Sequence, residues 1–365
     1  KVTAPNDSLK AEIQARKISK DGKGMAWNIQ TSAADNKLKS IIKWKNLSGK
    51  YFTGTLNTET EFFKSEYGNT AHITVHHSDI IVGDSIWNIQ PSDIVYRKNN
   101  ITIDHFAVTH NNQHIIISGL ATPNKNDSVI ADLKNVDVSY ILNLVNFHSV
   151  DFSGKASGKA YIAGAFAKPD ASAKLRVEDF KFENGRMGTL YANANWNNRE
   201  GQIDIDATAN DTISNISISN YIPIKTIIKG YVSPRKNNID LNIMADGTRI
   251  EFLKRFCGSF IGNINAYANG EVRVAGPLNK INLTGDLIAN GVIHMSTLNT
   301  DYTLKNAHIH AVPDEIYLQN DTVADRDGHL GIVSGALHHQ HLTKLTFDIG
   351  INAHNLLAYD THEFG

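Results

Sequence analysis

Apolar and polar residues alternate with a period of two along most of this chain. In GQIDIDATA (201–209), Ile203 and Ile205 fall on one side of the alternation, and Asp204 and Asp206 fall on the other. Such alternation is typical of β-strands that have one apolar and one solvated face. Comparable segments recur throughout and are separated by Asn-Gly, Asp-Gly and Asn-Asn turn signals. The sequence therefore predicts an all-β protein whose strand content is far above the roughly 20–25% of an average domain.

Two segments have helical spacing instead. Residues 137–147 begin with an aspartate that suits a helix cap. Residues 246–260 place apolar side chains at helical intervals around Ile250 and Leu253. We expect each segment to form a short helix. A second layer of helices over the sheet is not expected, because no other segment has this pattern.

Composition excludes several classes of protein. The chain has 365 residues, with 36 basic against 37 acidic residues and a formal net charge of −1, so we expect no nucleic-acid partner. A hydrophobic fraction of 41% is too high for a disordered chain. Cys257 is the only cysteine, which rules out an internal disulfide and a cysteine-based metal site. We interpret it as a small buried apolar residue.

A weak internal repeat indicates a sheet that is built from similar units. Residues 156–175 align without gaps with residues 268–287, and their glycines coincide. Repeats of this kind predict stacked copies of a β unit, each of which buries its apolar face beside its neighbours. The glycines resemble a phosphate-binding loop only superficially, because the strand alternation continues after them and no helix begins there. We interpret them as turn and bulge points in a curving sheet.

Three patterns suggest chemistry, and each has a simpler interpretation. His308 and His310 share a strand face at a spacing that suits Zn²⁺ or Cu²⁺, and a second histidine cluster, LHHQH, covers 337–341. No acidic or cysteine partner lies near them at ligand spacing, so we favour solvated side chains. The segment DRDGHLG (325–331) departs from the EF-hand frame and is interpreted as a turn, and the paired aspartates at 204 and 206 fit any solvated strand face. We therefore expect no catalytic residue, no metal and no cofactor.

The last third of the chain carries seven elements in an order that is typical of one family. In chain order they are EFLKRF, GEVRVAGPL, GDL, LNTDYTL, PDEI, DRDGHLGIVSG and FDIGINAHNLL. Over residues 249–361 the chain resembles the carboxy-terminal domain of the TamB family, the translocation and assembly module proteins of the AsmA-like superfamily. Residues 117–220, with an earlier GKAYIAG copy, resemble the preceding repeats of that family. The high histidine and asparagine usage resembles the versions from bacteria of the Bacteroides type.

The resemblance implies a fold, a location and a partner. The implied fold is an elongated curved β-sheet, a U-shaped or "β-taco"-like trough with an apolar lining and one or two short helices. The implied location is the periplasm of a Gram-negative bacterium, with an N-terminal inner-membrane anchor that is missing from this chain. The implied partner is an outer-membrane barrel protein of the Omp85 class. The implied function is non-enzymatic: carrying phospholipid between the inner and outer membranes and supporting outer-membrane protein assembly.

The alternation itself points to the same ligand. Alternating strands over hundreds of residues produce a continuous apolar face with few helices to cover it, and phospholipid acyl chains suit such a face. The predicted lining residues are Ile203, Ile205, Ile216, Ile218, Ile239, Leu241, Ile243, Val272, Val274, Leu283, Leu345, Phe347, Ile349 and Ile351. The alternative for each of them is an ordinary closed β core. The alternative for the protein is a structural or glycan-binding β-solenoid or adhesin with a closed core.

We expect three regions along the chain. Residues 1–115 are predicted to form N-terminal β repeats, and residues 116–245 to form middle β repeats. Residues 246–365 are predicted to form a domain like the carboxy-terminal domain of the TamB family, truncated at its end. One continuous sheet through all three regions is the alternative.

Overall fold

The computed structural model describes residues 2–3, 8–18, 24–47, 52–140, 151–211, 224–255, 257, 260–278, 280–341 and 343–360. It divides into two compact units. The first unit comprises Lys1–Val136 and Ala156–Ala173, and the second comprises Asp137–Lys155 and Lys174–Gly365. The three-region division of the sequence stays a prediction.

Short strands joined by tight turns make up the first part of the chain. In chain order they are β1 (Val2–Thr3), β2 (Ser8–Ile18), β3 (Gly24–Ala34), β4 (Lys37–Asn46), β5 (Phe52–Ser65), β6 (Gly68–Val75), β7 (Ser78–Val82), β8 (Ser85–Ile89), β9 (Ser92–Arg97), β10 (Asn100–His110), β11 (Gln113–Ala121) and β12 (Ser128–Asp137). Most of these strands pair antiparallel with the next one along the chain. The short hairpin β7–β8 departs from this order: β7 also pairs with β5, and β8 with β10.

The later strands follow a simpler order. They are β13 (Phe152–Ala163), β14 (Asp170–Phe182), β15 (Gly185–Asn197), β16 (Gln202–Asp211), β17 (Ile224–Ser233), β18 (Asn238–Arg249), β19 (Ile261–Pro277), β20 (Asn282–Met295), β21 (Thr300–Val312), β22 (Glu315–Ala324), β23 (Leu330–Gln340) and β24 (Thr343–Ala353). From β15 to β24, each strand pairs antiparallel with its successor. The predicted all-β class, built from repeated antiparallel strands, is confirmed.

Of the short helix predicted within 246–260, the described residues form a single turn. Within 246–260, β18 continues to Arg249, because Thr248 and Arg249 pair with Ala268 and Tyr267 beyond a bulge. Only a five-residue 3-10 helix, Glu251–Arg255, follows. The helical spacing of apolar residues was overridden there by hydrogen bonds to β19. Of the other predicted helix, 138–140 are helical, and the remainder lies outside the described residues.

The sheet of the second unit curves toward its apolar side. The ring of Phe260, which directly precedes β19, lies 5.3 Å from the ring of Phe347 in β24. Four strands separate β19 from β24 in the hydrogen-bonded order. Neighbouring strands lie about 4.8 Å apart, so a flat sheet would separate these two by roughly 24 Å. The ring contact therefore requires strong curvature within this unit.

Glycines in the predicted turn-or-bulge pattern adopt conformations that other residues avoid. Gly270 in β19 has φ of 139° and Gly285 in β20 has φ of 138°. A Cβ atom at either position would lie 2.2 Å from a backbone oxygen of the neighbouring strand. The chain continues as strand around both residues, and 153–160 also lies within β13. A phosphate-binding loop is therefore excluded at both places, since that loop must open a helix.

A candidate ligand-binding face in the second unit

Strand register brings the predicted lining residues together on one side of the sheet. Ile205 in β16 is aligned with Gly230 in β17, which is aligned with Leu241 in β18. Leu241 is aligned with Val274 in β19, and Val274 with Leu283 in β20. Residues aligned directly across neighbouring strands point to the same face. One apolar row therefore crosses five strands.

A second row extends this face to the last strand. Ile243 is aligned with Val272 in β19, and Val272 with Gly285 in β20. From Gly285 the row continues through Ala311, Ile316, Leu337 and Phe347 in β21 to β24. We call the surface formed by these rows and their same-side neighbours the apolar face.

The predicted residues and the observed face agree in placement. The apolar face contains all the predicted lining residues of the described part, namely Ile203, Ile205, Ile239, Leu241, Ile243, Val272, Val274, Leu283, Leu345, Phe347, Ile349 and Ile351. Ile216 and Ile218 lie outside the described residues. Sequence reasoning missed several members, although the same alternation in β17, β21, β22 and β23 could have found them: Ile228, Val232, Ile309, Ile316, Leu318 and Leu337.

One end of the apolar face is covered by the protein itself. A fully buried row of alanines, Ala268, Ala289 and Ala307, crosses β19 to β21 there. Around this row lies a buried cluster that also contains Ile250, Ile261, Ile264, Met295, Tyr302, Leu304, Val323 and Val333. Phe252 of the 3-10 helix and Leu356, which follows β24, pack against this cluster. Small alanine side chains leave room for these larger ones.

Phe252 and Leu356 form a cover over this end of the apolar face, and Cys257 belongs to it as well. It packs against the buried cluster and is partly buried. Burial raises the pKa of its thiol, so the thiolate, which is the nucleophilic form, is disfavoured at neutral pH. The interpretation as a small apolar residue fits this environment.

A hydrogen bond to one buried carboxylate holds the segment after β24 in place. Asp325 accepts hydrogen bonds from the backbone N–H of Asp327 and His329 at 2.9 Å, and from that of Leu357 at 2.8 Å. Burial raises the pKa of Asp325, but the hydrogen bonds from the backbone of Leu357, from the backbone and ring of His329 and from the backbone of Asp327 outweigh this effect and lower the pKa to about 2. The Tyr302 hydroxyl donates to the carbonyl of Leu357 at 2.8 Å. The returning segment is therefore fixed over the covered end.

Ion pairs hold the 3-10 helix against the neighbouring strands. The side chain of Asp211, at the end of β16, is 1% exposed and lies 3.2 Å from Arg186 Nη2 and 3.4 Å from Arg249 Nε. Arg255 of the helix pairs with Glu183 and with Asp151. Arg255 donates a hydrogen bond to the Asp151 carboxylate, and this bond raises the pKa of Arg255. These charged groups compensate one another beside the covered end.

Away from the covered end, Ile239 and Ala311 are buried, and most other residues of the apolar face are half-buried. Val272, Val274, Leu283, Ile316 and Leu337 keep partial contact with solvent. In β24, Phe347 is 47% exposed, Ile349 42% and Ile351 39%. Exposed apolar surface on a concave sheet is typical of a ligand-binding region. The face thus has a sealed end and an accessible part.

The opposite face of this sheet carries most of the charged and polar side chains, together with a few exposed apolar ones such as Met244 and Ile332. His308 and His310 lie on it with their rings 6.5 Å apart and nearly parallel. His310 Nδ1 lies 2.6 Å from Asp286 and His308 Nδ1 lies 3.4 Å from Asp321, so neighbouring strands supply the acidic partners that the local sequence lacks. Each histidine therefore has its own carboxylate partner, as expected of paired, solvated side chains.

The other candidate metal groups are also explained by local structure. His339 and His341 flank Asp314 at 3.8 and 3.6 Å, and burial lowers the pKa of His339. In the described part of the chain, Asp325, Asp327 and His329 form a group whose possible ligand atoms lie within 4.8 Å of one another. Both oxygens of Asp325 already accept hydrogen bonds there, as expected of the predicted turn.

Comparisons add no named relative: the chain matches no protein-family model, no curated protein and no solved structure. Among the described residues, no helix reaches the length and hydropathy that a membrane crossing needs.

Proposed function

We propose that the apolar face binds phospholipid acyl chains and that the protein carries lipid without catalysing a reaction. The observation that supports this proposal is the half-buried part of the face, which runs across β16 to β24 on the concave side of the sheet. Ile243, Val272 and Val274 contribute only aliphatic surface to it. A polar ligand would find no matching hydrogen-bond groups there.

Aliphatic contacts suit a mobile cargo. Each buried CH₂ group contributes about 0.8 kcal/mol without a preferred direction, so an acyl chain is held along the face but is free to slide. The covered end blocks that movement in one direction along the strands, because Phe252 and Leu356 pack against the buried cluster that contains the alanine row. Acyl chains are therefore expected to bind between the covered end and the strand ends at Val274 and Leu283.

The biological setting follows the family resemblance. We infer that the chain is a member of the TamB family that acts in the periplasm of a Gram-negative bacterium. In that setting the partner is an outer-membrane barrel protein of the Omp85 class. Transport between the two membranes and support of outer-membrane protein assembly are the proposed roles.

Lipid extraction tests the proposal. We expect phospholipid to be detected by mass spectrometry of the purified protein, and Ile349→Asp to remove most of it by placing a charge on the apolar face. The matched control is Ile332→Asp, since Ile332 is 48% exposed in the neighbouring strand and lies on the opposite face. Equal lipid content in the two folded variants, or none in the wild type, would contradict the proposal.

A structural protein with a closed core is the second candidate. The buried cluster around Ala268, Ala289 and Ala307 favours it, because that part of the face is sealed. This candidate predicts no bound lipid and no difference between the Ile349 and Ile332 variants. A glycan-binding role predicts instead that oligosaccharides raise the thermal stability of the protein.

A further inference from the structure

Positive charge is concentrated at the start of this nearly neutral chain. Residues 1–50 contain eleven Lys and Arg residues against four Asp and Glu residues, whereas the whole chain has 36 against 37. The whole-chain balance conceals this segregation. Among the described residues, the cations lie in β2 and β4 of the first unit, on either side of the uncharged β3.

Register places three of these cations on one face. Arg16 in β2 is aligned with Ala26 in β3, and Ala26 with Lys45 in β4. In the next row, Gln14 is aligned with Asn28, and Asn28 with Lys43. Because aligned residues share a side, Arg16, Lys43 and Lys45 project from the same face. We call it the basic face.

The three cations are not neutralised by the protein. Lys37 and Lys39, farther along β4, face Glu59 at 3.6 and 3.5 Å. Beside Lys43 and Lys45, the aligned positions in β5 are Thr55 and Thr53. Within the described part of the chain, no carboxylate pairs with any of the three, and all three are exposed.

Arg16, Lys43 and Lys45 lie close enough together for their electrostatic fields to add. Arg16 and Lys45 lie two strands apart, about 10 Å between Cα atoms, and Lys43 and Lys45 are about 7 Å apart along one strand. These separations are within a Debye length of about 8–10 Å at moderate salt, so the three fields add. An anionic surface would meet a single patch of positive potential.

Exposed aliphatic side chains are interleaved with these charges. Ile18 is 61% exposed, Ile41 40% and Leu47 37%. Ile18 and Ile41 belong to the side of β2 and β4 that carries the cations, by the alternation of the strands, and Leu47 directly follows β4. Cationic and apolar side chains together on one exposed surface are typical of proteins that lie in the interface of a bilayer.

We propose that the basic face docks on the surface of a lipid bilayer that contains anionic phospholipid. The face offers positive charge to the phosphate headgroups and aliphatic side chains to the boundary of the acyl region. A single-stranded nucleic acid fits less well, because no aromatic side chain for base stacking lies on this side of β2, β3 and β4. This docking is separate from the acyl-chain cargo of the second unit and does not rest on it.

Vesicle flotation tests the docking. The full chain is expected to float with phosphatidylcholine vesicles that contain about 30 mol % phosphatidylglycerol and to stay unbound with phosphatidylcholine alone. Binding should weaken as salt rises from about 0.05 to 0.3 M. The triple change Arg16→Glu, Lys43→Glu and Lys45→Glu should weaken binding by more than about a hundred-fold, since each charge near the surface contributes roughly five-fold.

A matched triple reversal separates local docking from bulk charge. Lys64→Glu, Lys98→Glu and Lys305→Glu change the net charge equally at exposed positions elsewhere and should leave vesicle binding at the wild-type level. The milder triple change of Arg16, Lys43 and Lys45 to Gln serves if the reversal does not fold. Equal losses in both reversals, unchanged binding in the basic-face variants, or displacement of vesicles by an equal charge of single-stranded DNA would overturn the proposal.

The outcome is independent of the cargo experiment. The basic-face variants should retain the lipid that co-purifies with the wild type, and Ile349→Asp should retain vesicle binding. Absence of co-purified lipid would therefore count against the proposed function alone. Vesicle flotation that does not depend on the basic-face residues would count against the docking alone.

Discussion

Arg273 in β19 donates two parallel hydrogen bonds to Asp240 in β18, from Nε to Oδ1 and from Nη2 to Oδ2, each 2.7 Å long. The pair lies on the polar face, one residue away from Leu241 and Val274 of the apolar face. It therefore joins the two strands on the side opposite the proposed cargo.

The pair makes a pH-dependent contribution to stability. The hydrogen bond from Arg273 holds the pKa of Asp240 below its ordinary value. A carboxylate with a lowered native pKa stabilises the fold above its ordinary pKa, and this contribution is lost as pH falls through the native pKa. Because the Arg273 side chain is 57% exposed, we expect Asp240→Asn to cost only about 0.5 kcal/mol at pH 7.

Urea unfolding at pH 7 and at about pH 3 checks this expectation. The stability difference between Asp240→Asn and the wild type should shrink at the lower pH. Asp348→Asn is the control, since Asp348 is an exposed carboxylate on the same polar face. A difference that grows on acidification would contradict the assigned sign.

Curvature of the second unit depends on glycine at particular positions. Gly285 has φ of 138°, and a Cβ atom there would lie 2.2 Å from the Glu271 carbonyl oxygen. We expect Gly285→Ala to lower the free energy of unfolding by about 2–3 kcal/mol. Gly350→Ala is the matched control, because its nearest neighbour would be Ser334 O at 3.9 Å, and its effect should stay within about 0.5 kcal/mol. Similar urea midpoints for the two variants would refute this account.

The cover over the apolar face should open when Asp325 is removed. Asp325→Ala deletes the acceptor for the backbone N–H of Leu357, so hydrogen exchange across 354–360 should accelerate. In the wild type, the pKa of Asp325 is lowered to about 2, so this support is complete above the ordinary carboxyl pKa and is lost as pH falls through about 2. Asp327→Ala, an exposed carboxylate in the same turn, should leave exchange unchanged. Slow exchange in the Asp325 variant would show that other contacts hold the segment.

Sequence reasoning succeeded where contacts are periodic and failed where they are non-local. Alternation was enough to place Ile243, Val272 and Phe347 on one face. In a sheet with one apolar face, a one-residue shift in strand pairing would move every apolar side chain of a strand to the wrong side, so the pairing follows the alternation. It did not find the cover, since the bond between Asp325 and Leu357 joins residues 32 apart that share no pattern. The charge on β2 and β4 was hidden for a different reason: a whole-chain average removes local segregation.

A buried carboxylate should contribute far more to stability than an exposed one in the same strand. The Asp211 side chain is 1% exposed between Arg186 and Arg249, whereas the Asp206 side chain is 61% exposed and lies 3.8 Å from Lys229. Asp211→Ala leaves two arginines without that compensation beside the 3-10 helix, and we expect a loss of about 2 kcal/mol, below the ~3–5 kcal/mol of a fully buried pair because both arginines are partly exposed. Asp206→Ala should cost no more than about 0.5 kcal/mol. Urea unfolding measures both, and hydrogen exchange at residues 251–255 should rise only in the Asp211 variant. If the two variants lose equal stability, the buried ion pairs of Asp211 contribute no more than the exposed pair of Asp206.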